Sequence, residues 1–288
     1  MNVSIGIMCY NEEKNIENIL NALLNQKTER INIDEIIVVS SGCTDNTNKI
    51  VRKFIGKNYK IKLFIEKERK GKAEAINIFL EKAKNNILVL ESADTLPEKN
   101  TIEQLCLKLK SPTTGIVSGR PIPIQNKNKL MHFIIQLQWQ LHHEISKEKP
   151  KFGELIAFKK VFKKIPRTSV DEEEIASIIK SKDLKLSYEP KAIVYNKGPE
   201  NIKEFIRQRR RSYSGHLELK KRTMYEASTM KSINIFKKLL KTKAQKKNII
   251  FVTIAILLEG LGRFLGLIDY FTKKDHSIWK ISQTTKKL

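Results

Sequence analysis

The chain predicts an α/β fold: a doubly wound, mostly parallel sheet flanked by helices, followed by a hydrophobic helical tail. Three observations carry this prediction. Short apolar runs alternate with helix-period segments through the first half, the runs end in polar loops, and one long apolar stretch stands near the carboxyl end. Repeated β-α units of this length favour parallel strands joined by right-handed crossovers.

In chain order, Val3 to Met8 reads as a strand and Glu13 to Asn25 as a helix. The pairing repeats with Glu35 to Val39 and Asn46 to Phe54, Ile61 to Ile65 and Lys72 to Lys84, then Ile87 to Leu90 and Glu98 to Lys110. Gly115 to Ser118 adds a strand. After Pro121 and Pro123 the alternation stops. Leu130 to Ile145, with Met131, Phe133, Ile134, Leu137, Trp139 and Leu141 among Gln and His, is a long amphipathic helix that either packs inward or meets an acceptor or a membrane. His132, His142 and His143 have no carboxylate or Cys at ligand spacing, so no metal is assigned there. Lys151 to Phe158 reads as a strand, Asp171 to Lys180 as a helix, Lys185 to Tyr195 as a strand pair or one long strand, and Asn201 to Arg222 as a strongly basic helix. The acids Asp171 to Glu174 open their helix at the positive end of its dipole, which is reason enough for their place.

The carboxyl edge of such a sheet is where open α/β folds bind ligands, and there the loops gather Cys9 to Glu12, Ser40 to Thr47 and Ser92 to Asp94. The last is the most informative, because the apolar run Leu88-Val89-Leu90 ends abruptly in Glu91-Ser92-Ala93-Asp94-Thr95-Leu96-Pro97. An aspartate in that position serves either as a helix cap or as a ligand that a metal bridges to phosphate. The second reading makes this edge a diphosphate site.

At 288 residues and 40% hydrophobic content the chain can build a real core without staples. Cys9, Cys43 and Cys106 are odd in number with no zinc or redox spacing, so reduced thiols and a cytosolic face are expected. Met1 to Met8 lacks a basic leader and cleavage site, so no signal peptide is expected. A net charge of +24 draws a protein to polyanions, among them nucleic acid, anionic membranes and phosphorylated substrates, although a Lys-, Glu- and Ile-rich composition also accompanies adaptation to heat.

The tail is distinct. Lys231 to Lys247 is basic and amphipathic, and Ile249 to Phe271 is the most hydrophobic stretch, roughly 34 Å long as a helix and so able to cross a bilayer. Glu259 and Arg263 lie within it at i,i+4, where they can pair; membrane association is expected, whether spanning, re-entrant or interfacial.

Four motifs, Cys9-Tyr10-Asn11-Glu12-Glu13, Ser40-Ser41-Gly42-Cys43-Thr44-Asp45-Asn46-Thr47, Lys70-Gly71-Lys72-Ala73-Glu74-Ala75-Ile76-Asn77 and Ser92-Ala93-Asp94-Thr95, stand in order at strand ends. Together they resemble the GT-A nucleotide-sugar transferases of glycosyltransferase family 2. The resemblance continues through Gly153-Glu154-Leu155-Ile156-Ala157-Phe158, Asp171-Glu172 and Gln208-Arg209-Arg210-Arg211-Ser212-Tyr213. It implies a GT-A domain over 1–228, with a nucleotide-sugar-binding half at 1–120 and an acceptor-side half at 121–228, and a membrane-associating tail at 229–288.

What the resemblance implies in function is inverting transfer of a sugar from a nucleoside diphosphate to a lipid-linked or surface-glycan acceptor on the cytoplasmic face of the cell membrane. Donor contacts then fall to Tyr10, Asn11, Glu12, Ser40, Ser41, Asp45, Gly71, Lys72, Ala93 and Arg210, with Ser40-Ser41 standing where relatives carry Asp-Asp. Asp94 matches the second Asp of the family's Asp-x-Asp and would bind Mg²⁺ or Mn²⁺, the first being replaced by Ser92. Glu91 is one residue out of register and on a strand faces the other way. Glu172, beside Asp171, aligns with the base that takes the acceptor's proton. Gly153 and Glu154 fall on the acceptor side. Gln208 and Arg211 match Gln-x-x-Arg-Trp and suit the departing diphosphate, with Ser212 in place of Trp. A second reading is a sugar-nucleotide-binding protein impaired in catalysis, motivated by Ser40, Ser41, Ser92 and Ser212. A nucleic-acid partner is not expected, because Arg207 to Arg211 has no stacking platform beside it.

Overall fold

The computed structural model describes all residues except 231–234, 236–237, 240–247, 281, 283 and 287–288. Its elements are β1 (Asn2–Cys9), α1 (Ile16–Leu24), β2 (Asn32–Ser41), α2 (Thr47–Ile55), β3 (Ile61–Glu66), α3 (Lys72–Lys82), β4 (Ile87–Ser92), β5 (Thr95–Pro97), α4 (Thr101–Lys108), β6 (Thr114–Pro123), α5 (Lys129–Ser146), β7 (Leu155–Lys159), α6 (Asp171–Lys180), β8 (Lys185–Asn196), α7 (Ile202–Thr223) and α8 (Ile249–Phe271), with a short 3-10 turn at Ser228–Met230.

The first strands read as unbroken apolar runs because both faces of their sheet are covered. Side chains alternate between two cores, as a strand's period of two requires. Val3, Ile5 and Ile7 of β1, Ile36 and Val38 of β2 and Val89 of β4 pack with α1 and α4. Ile37, Val39, Leu88 and Leu90 face the opposite way, onto Ala75, Ile76 and Phe79 of α3 and Ile175 and Ile179 of α6.

Eight strands form one sheet in the order β3-β2-β1-β4-β7-β6-β8-β5. β1 pairs in parallel with β2 and with β4, and β2 with β3. The chain thus runs outward from β1 to β3 and returns to the other side of β1, which opens a crevice at the carboxyl ends of β1 and β4. Beyond β4 the sheet is mixed, since β7 is antiparallel to both β4 and β6, while β6 and β8 are parallel.

Three features differ from the sequence expectation or resolve it. The strand expected at Lys151 to Phe158 begins only at Leu155, because Phe152 donates its backbone N–H to the Glu173 carboxylate (2.9 Å) instead of a ladder partner. Lys185 to Tyr195 is one strand, whose pairing with β6 shifts register between Ser118 and Arg120. Thr95–Pro97 forms a short strand against β8 immediately after the Asp94 loop.

The tail helix α8 lies on the domain. Its inward face, which includes Val252, Ala255, Gly262, Gly266 and Asp269, packs on α7 and α5. The two glycines permit this approach, since a Cβ would stand 2.6 Å from Arg209 Cβ at Gly262 and 2.6 Å from the Arg210 carbonyl at Gly266. Its charges turn inward too: Arg263 pairs with Glu259 (2.7 Å) and donates to the Thr229 carbonyl (3.1 Å), and Asp269 takes Arg210 and His276. The outer face exposes Ile249, Ile250, Ile256, Leu257, Leu261, Phe264, Ile268 and Phe271 as an apolar stripe along the helix. The helix is long and apolar enough to cross a membrane. The basic segment Lys231 to Lys247 falls mostly outside the described residues.

Candidate active site

A cavity of about 1510 Å³ opens at the crevice and is walled by the β1 and β4 loops, α5, α6, α7, α8 and the segment after α8. The β1 loop turns through Asn11, whose φ of 52° lies in the left-handed region that Asn tolerates better than most residues. Its amide is spent on the neighbouring loop: Asn11 Nδ2 donates to Thr44 Oγ1 (3.1 Å), and Asn11 Oδ1 accepts from Thr44 N (2.8 Å). Asp45 accepts from the backbone of Glu13 (3.1 Å) and Thr47 (3.0 Å), which fixes the start of α2 and holds its carboxyl below the ordinary range against the pull of burial. Asn11, Asp45 and the buried Ser40 therefore build the loops and stand outside the cavity wall, while Tyr10, Glu12 and Ser41 line it. Cys9 and Cys43 meet at this strand edge, and all three cysteines are free thiols.

The carboxylates converge on Asp94, which is half-buried in the wall. Burial and then the Asp94 charge push the Glu12 carboxyl to about 7, and the same two causes push Glu154 to about 7. Glu154 reaches the site from a backbone at φ 55°, and its neighbour Gly153 leaves open space where a side chain would stand. Glu91 is fully buried, accepts from Thr95 Oγ1 and is turned away from the cavity, as strand alternation requires.

The four acids of α6 have four different surroundings. Glu172 lines the cavity and pairs with Lys72 of α3 at 2.5 Å. Burial works to raise its carboxyl, but Lys72, by charge and hydrogen bond, outweighs that and holds it below the ordinary range. Glu173 accepts from Lys151 (2.7 Å), Phe152 N and Tyr225 OH (2.8 Å), and Glu174 binds Arg222. Asp171 is buried outside the wall, its Oδ1 has no partner among the described residues, and burial drives its carboxyl upward.

Opposite in charge to these acids, α7 brings Gln208, Arg209, Arg210 and Arg211 into the same cavity. Arg210 is held by Asp269 of α8. Arg211 has a buried Nη1 with no partner among the described residues, and its guanidinium carbon lies 4.0 Å from the Trp279 ring centre. The arginine donors of this wall can hold an anion.

The family model described as "Glycosyl transferase family 2" matches residues 4–171, more than half of the chain. The chain belongs to glycosyl transferase family 2. It is thereby a glycosyltransferase with the GT-A fold. A mannosyltransferase from Pyrobaculum calidifontis, solved with GDP-Man and Mn²⁺, superposes with a TM-score of 0.68 at 21% identity over 95% of this chain and 88% of that one. Glucosyl-3-phosphoglycerate synthase from Mycobacterium tuberculosis, solved with Mn²⁺, UDP and glucosyl-3-phosphoglycerate, gives 0.56 at 17% identity over 76% and 79%. The poly-β-1,6-N-acetyl-D-glucosamine synthase of Staphylococcus epidermidis is 25% identical over 98% of this chain and 71% of its own length. The synthase of the same name from Staphylococcus aureus (strain COL) is 28% identical over 80% and 58%. The chain thus spans little more than half of that relative.

Within this glycosyltransferase the cavity wall holds Glu172, Gln208, Arg211, Tyr10, Glu12, Ser41, Lys72, Ala93, Arg210, Gly153, Glu154 and Asp94 together. Gly71, at φ 102°, precedes α3 outside the wall. Sequence reasoning missed Arg69, Lys286 and Trp279. Arg69 stacks over the Tyr10 ring at 4.1 Å, and Lys286 bonds Glu12 and the Tyr10 carbonyl (3.0 Å). Nothing local marks any of the three, since Lys67 and Lys70 beside Arg69 are equally basic.

Proposed function

We propose that the protein is an inverting, metal-assisted glycosyltransferase that moves a sugar from a nucleoside-diphosphate sugar to a lipid-linked or glycan acceptor at the cytoplasmic face of a membrane. The observation that carries this reading is a single cavity with carboxylates around Asp94 at the sheet edge and unpaired arginine donors on α7. The acids fit a hard cation, because burial and then the Asp94 charge already disfavour ionising Glu12 and Glu154. Among the described residues no three His, Cys, Asp or Glu side chains form a metal cluster, so Asp94 would share Mg²⁺ or Mn²⁺ with the donor diphosphate. The ion would supply charge neutralisation for the departing nucleoside diphosphate.

The chain's own groups divide the remaining work. Tyr10, Glu12 and Ser41 bind the nucleoside, and Arg211 with Gln208 stabilises negative charge as the glycosidic oxygen leaves. Glu172, kept ionised by Lys72, accepts the proton from the acceptor hydroxyl as its oxygen attacks the anomeric carbon in line. An acceptor carrying a lipid is supported by the apolar residues Ile134, Leu137, Trp139 and Leu141 on the cavity wall, and by the exposed stripe of α8. The two solved neighbours, crystallised with Mn²⁺ and a nucleoside diphosphate or its sugar, support the donor class.

Thermal-shift screening against UDP- and GDP-sugars, with and without Mn²⁺, tests the reading. One donor is expected to raise the melting midpoint, more so with Mn²⁺, and Asp94→Ala should lose the Mn²⁺-dependent part. A panel in which no donor moves the midpoint overturns it. Donor binding without transfer to any of a wide acceptor set would make the chain a sugar-nucleotide binder instead.

A further inference from the structure

Described residues that follow α8 touch separately folded parts of the cavity's donor side. Asp275 pairs with Arg167 of the loop before α6 (2.6 Å). Ser277 runs against Gly71, where a Cβ would stand 2.8 Å from the serine carbonyl. The Trp279 carbonyl accepts from Arg69 Nη2 (2.7 Å), and Lys286 reaches the Tyr10 loop. These contacts hold the Trp279 indole against Arg211.

We propose that Trp279 is a positioning residue for the leaving-group arginine: the segment after α8 brings its indole ring centre to 4.0 Å from the Arg211 guanidinium carbon. This rests on the donor reading given above. The physical case begins with what an arginine in this place needs. Arg211 is desolvated, and burial lowers its pKa to about 10. A carboxylate partner would restore the charge balance but would occupy the N–H groups that a diphosphate must use. An indole beside the guanidinium instead attracts it through its π cloud without accepting a hydrogen bond from it, so the N–H donors stay available. The buried Nη1 without a partner among the described residues is what such an arrangement leaves behind. Arg210, one residue earlier, shows the alternative, since its donors are taken by Asp269.

The test uses the full chain with Trp279→Ala and Trp279→Phe. Inorganic pyrophosphate is the probe for the anion site, and a nucleoside without phosphates is the control for the base pocket. Trp279→Ala is expected to weaken pyrophosphate binding and lower kcat by about tenfold each, with nucleoside binding nearly unchanged. Trp279→Phe, which keeps an aromatic face, should recover most of both. Pyrophosphate should also alter the fluorescence of the parent, which has two tryptophans, and this change should be lost in Trp279→Phe. Equal pyrophosphate affinity and kcat in all three proteins overturns the inference, as does a Phe variant no better than Ala. A parent that transfers sugar beside an unaffected Trp279→Ala sinks this inference alone, whereas a parent that binds no nucleoside-diphosphate sugar takes the donor reading down with it.

Discussion

The two walls of the cavity are built by opposite means. On the sheet side, polar bonds from Asn11 to Thr44 and from Glu13 N to Asp45 join neighbouring loops, Thr47 N donates to Asp45 within one turn, and the acids Glu12, Asp94 and Glu154 crowd one another. On the helical side, contacts between elements distant in sequence set the geometry: α7 lies on α8 through Gly262 and Gly266, Arg210 meets Asp269, and Arg211 meets Trp279. The first wall sets buried acids against Lys72 and Lys286, and the second carries arginine donors with no partner among the described residues.

Three experiments would break or sharpen that contrast. The largest effect is expected where the walls meet, at Glu172: Glu172→Gln should lower transfer to a hydroxyl acceptor by about 10²–10⁴-fold while the donor-induced thermal shift persists. Full turnover in that variant would remove Glu172 from the base's role. An intermediate effect belongs to the helical wall. Gly266→Ala places a methyl against the Arg210 carbonyl and should cost about 1–3 kcal/mol in urea unfolding. Unchanged stability would mean that α8 is not held by close packing.

The smallest effect belongs to the sheet wall and is read against pH. Glu154 holds its proton up to about 7 in the folded chain but only to about 4.5 when unfolded, so the folded form binds more protons between these values. The stability this group contributes is complete below about pH 4.5 and is lost as pH rises to about 7. Glu154→Gln removes that loss, and its melting midpoint should fall less than the parent's across this window. Parallel midpoint curves for the two proteins would mean that Glu154 ionises normally beside Asp94. Bound Mn²⁺ should act in the same direction as the substitution.

Much of the sheet wall was legible because its motifs are local. The loops at Cys9 to Glu12 and Ser92 to Asp94 stand where the alternation of runs places them, and the turn of Glu91 away from the cavity follows from a strand's period. What residue type could not say was which polar side chain faces the cavity and which ties loops together. Asn11 and Glu12 are adjacent and both polar, yet one clamps Thr44 and the other lines the site. The helical wall was less legible for a related reason. Successive residues on a helix point about 100° apart, so Arg210 and Arg211 take different partners, and those partners lie far along the chain. The acids of α6 read as one run and are separated in the same way.

By itself the sequence determined the alternation of elements, the order of the four loop motifs, the apolar tail helix and the excess of positive charge. Each is a property of a short window or of composition, and needs no knowledge of what lies opposite. Only the tertiary structure decided that Lys72 answers Glu172, that α8 turns its charges inward and an apolar stripe outward, and that Trp279 returns to Arg211. Those pairings exist because burying two separate faces brings distant segments together, and their free energy appears only once the chain has closed.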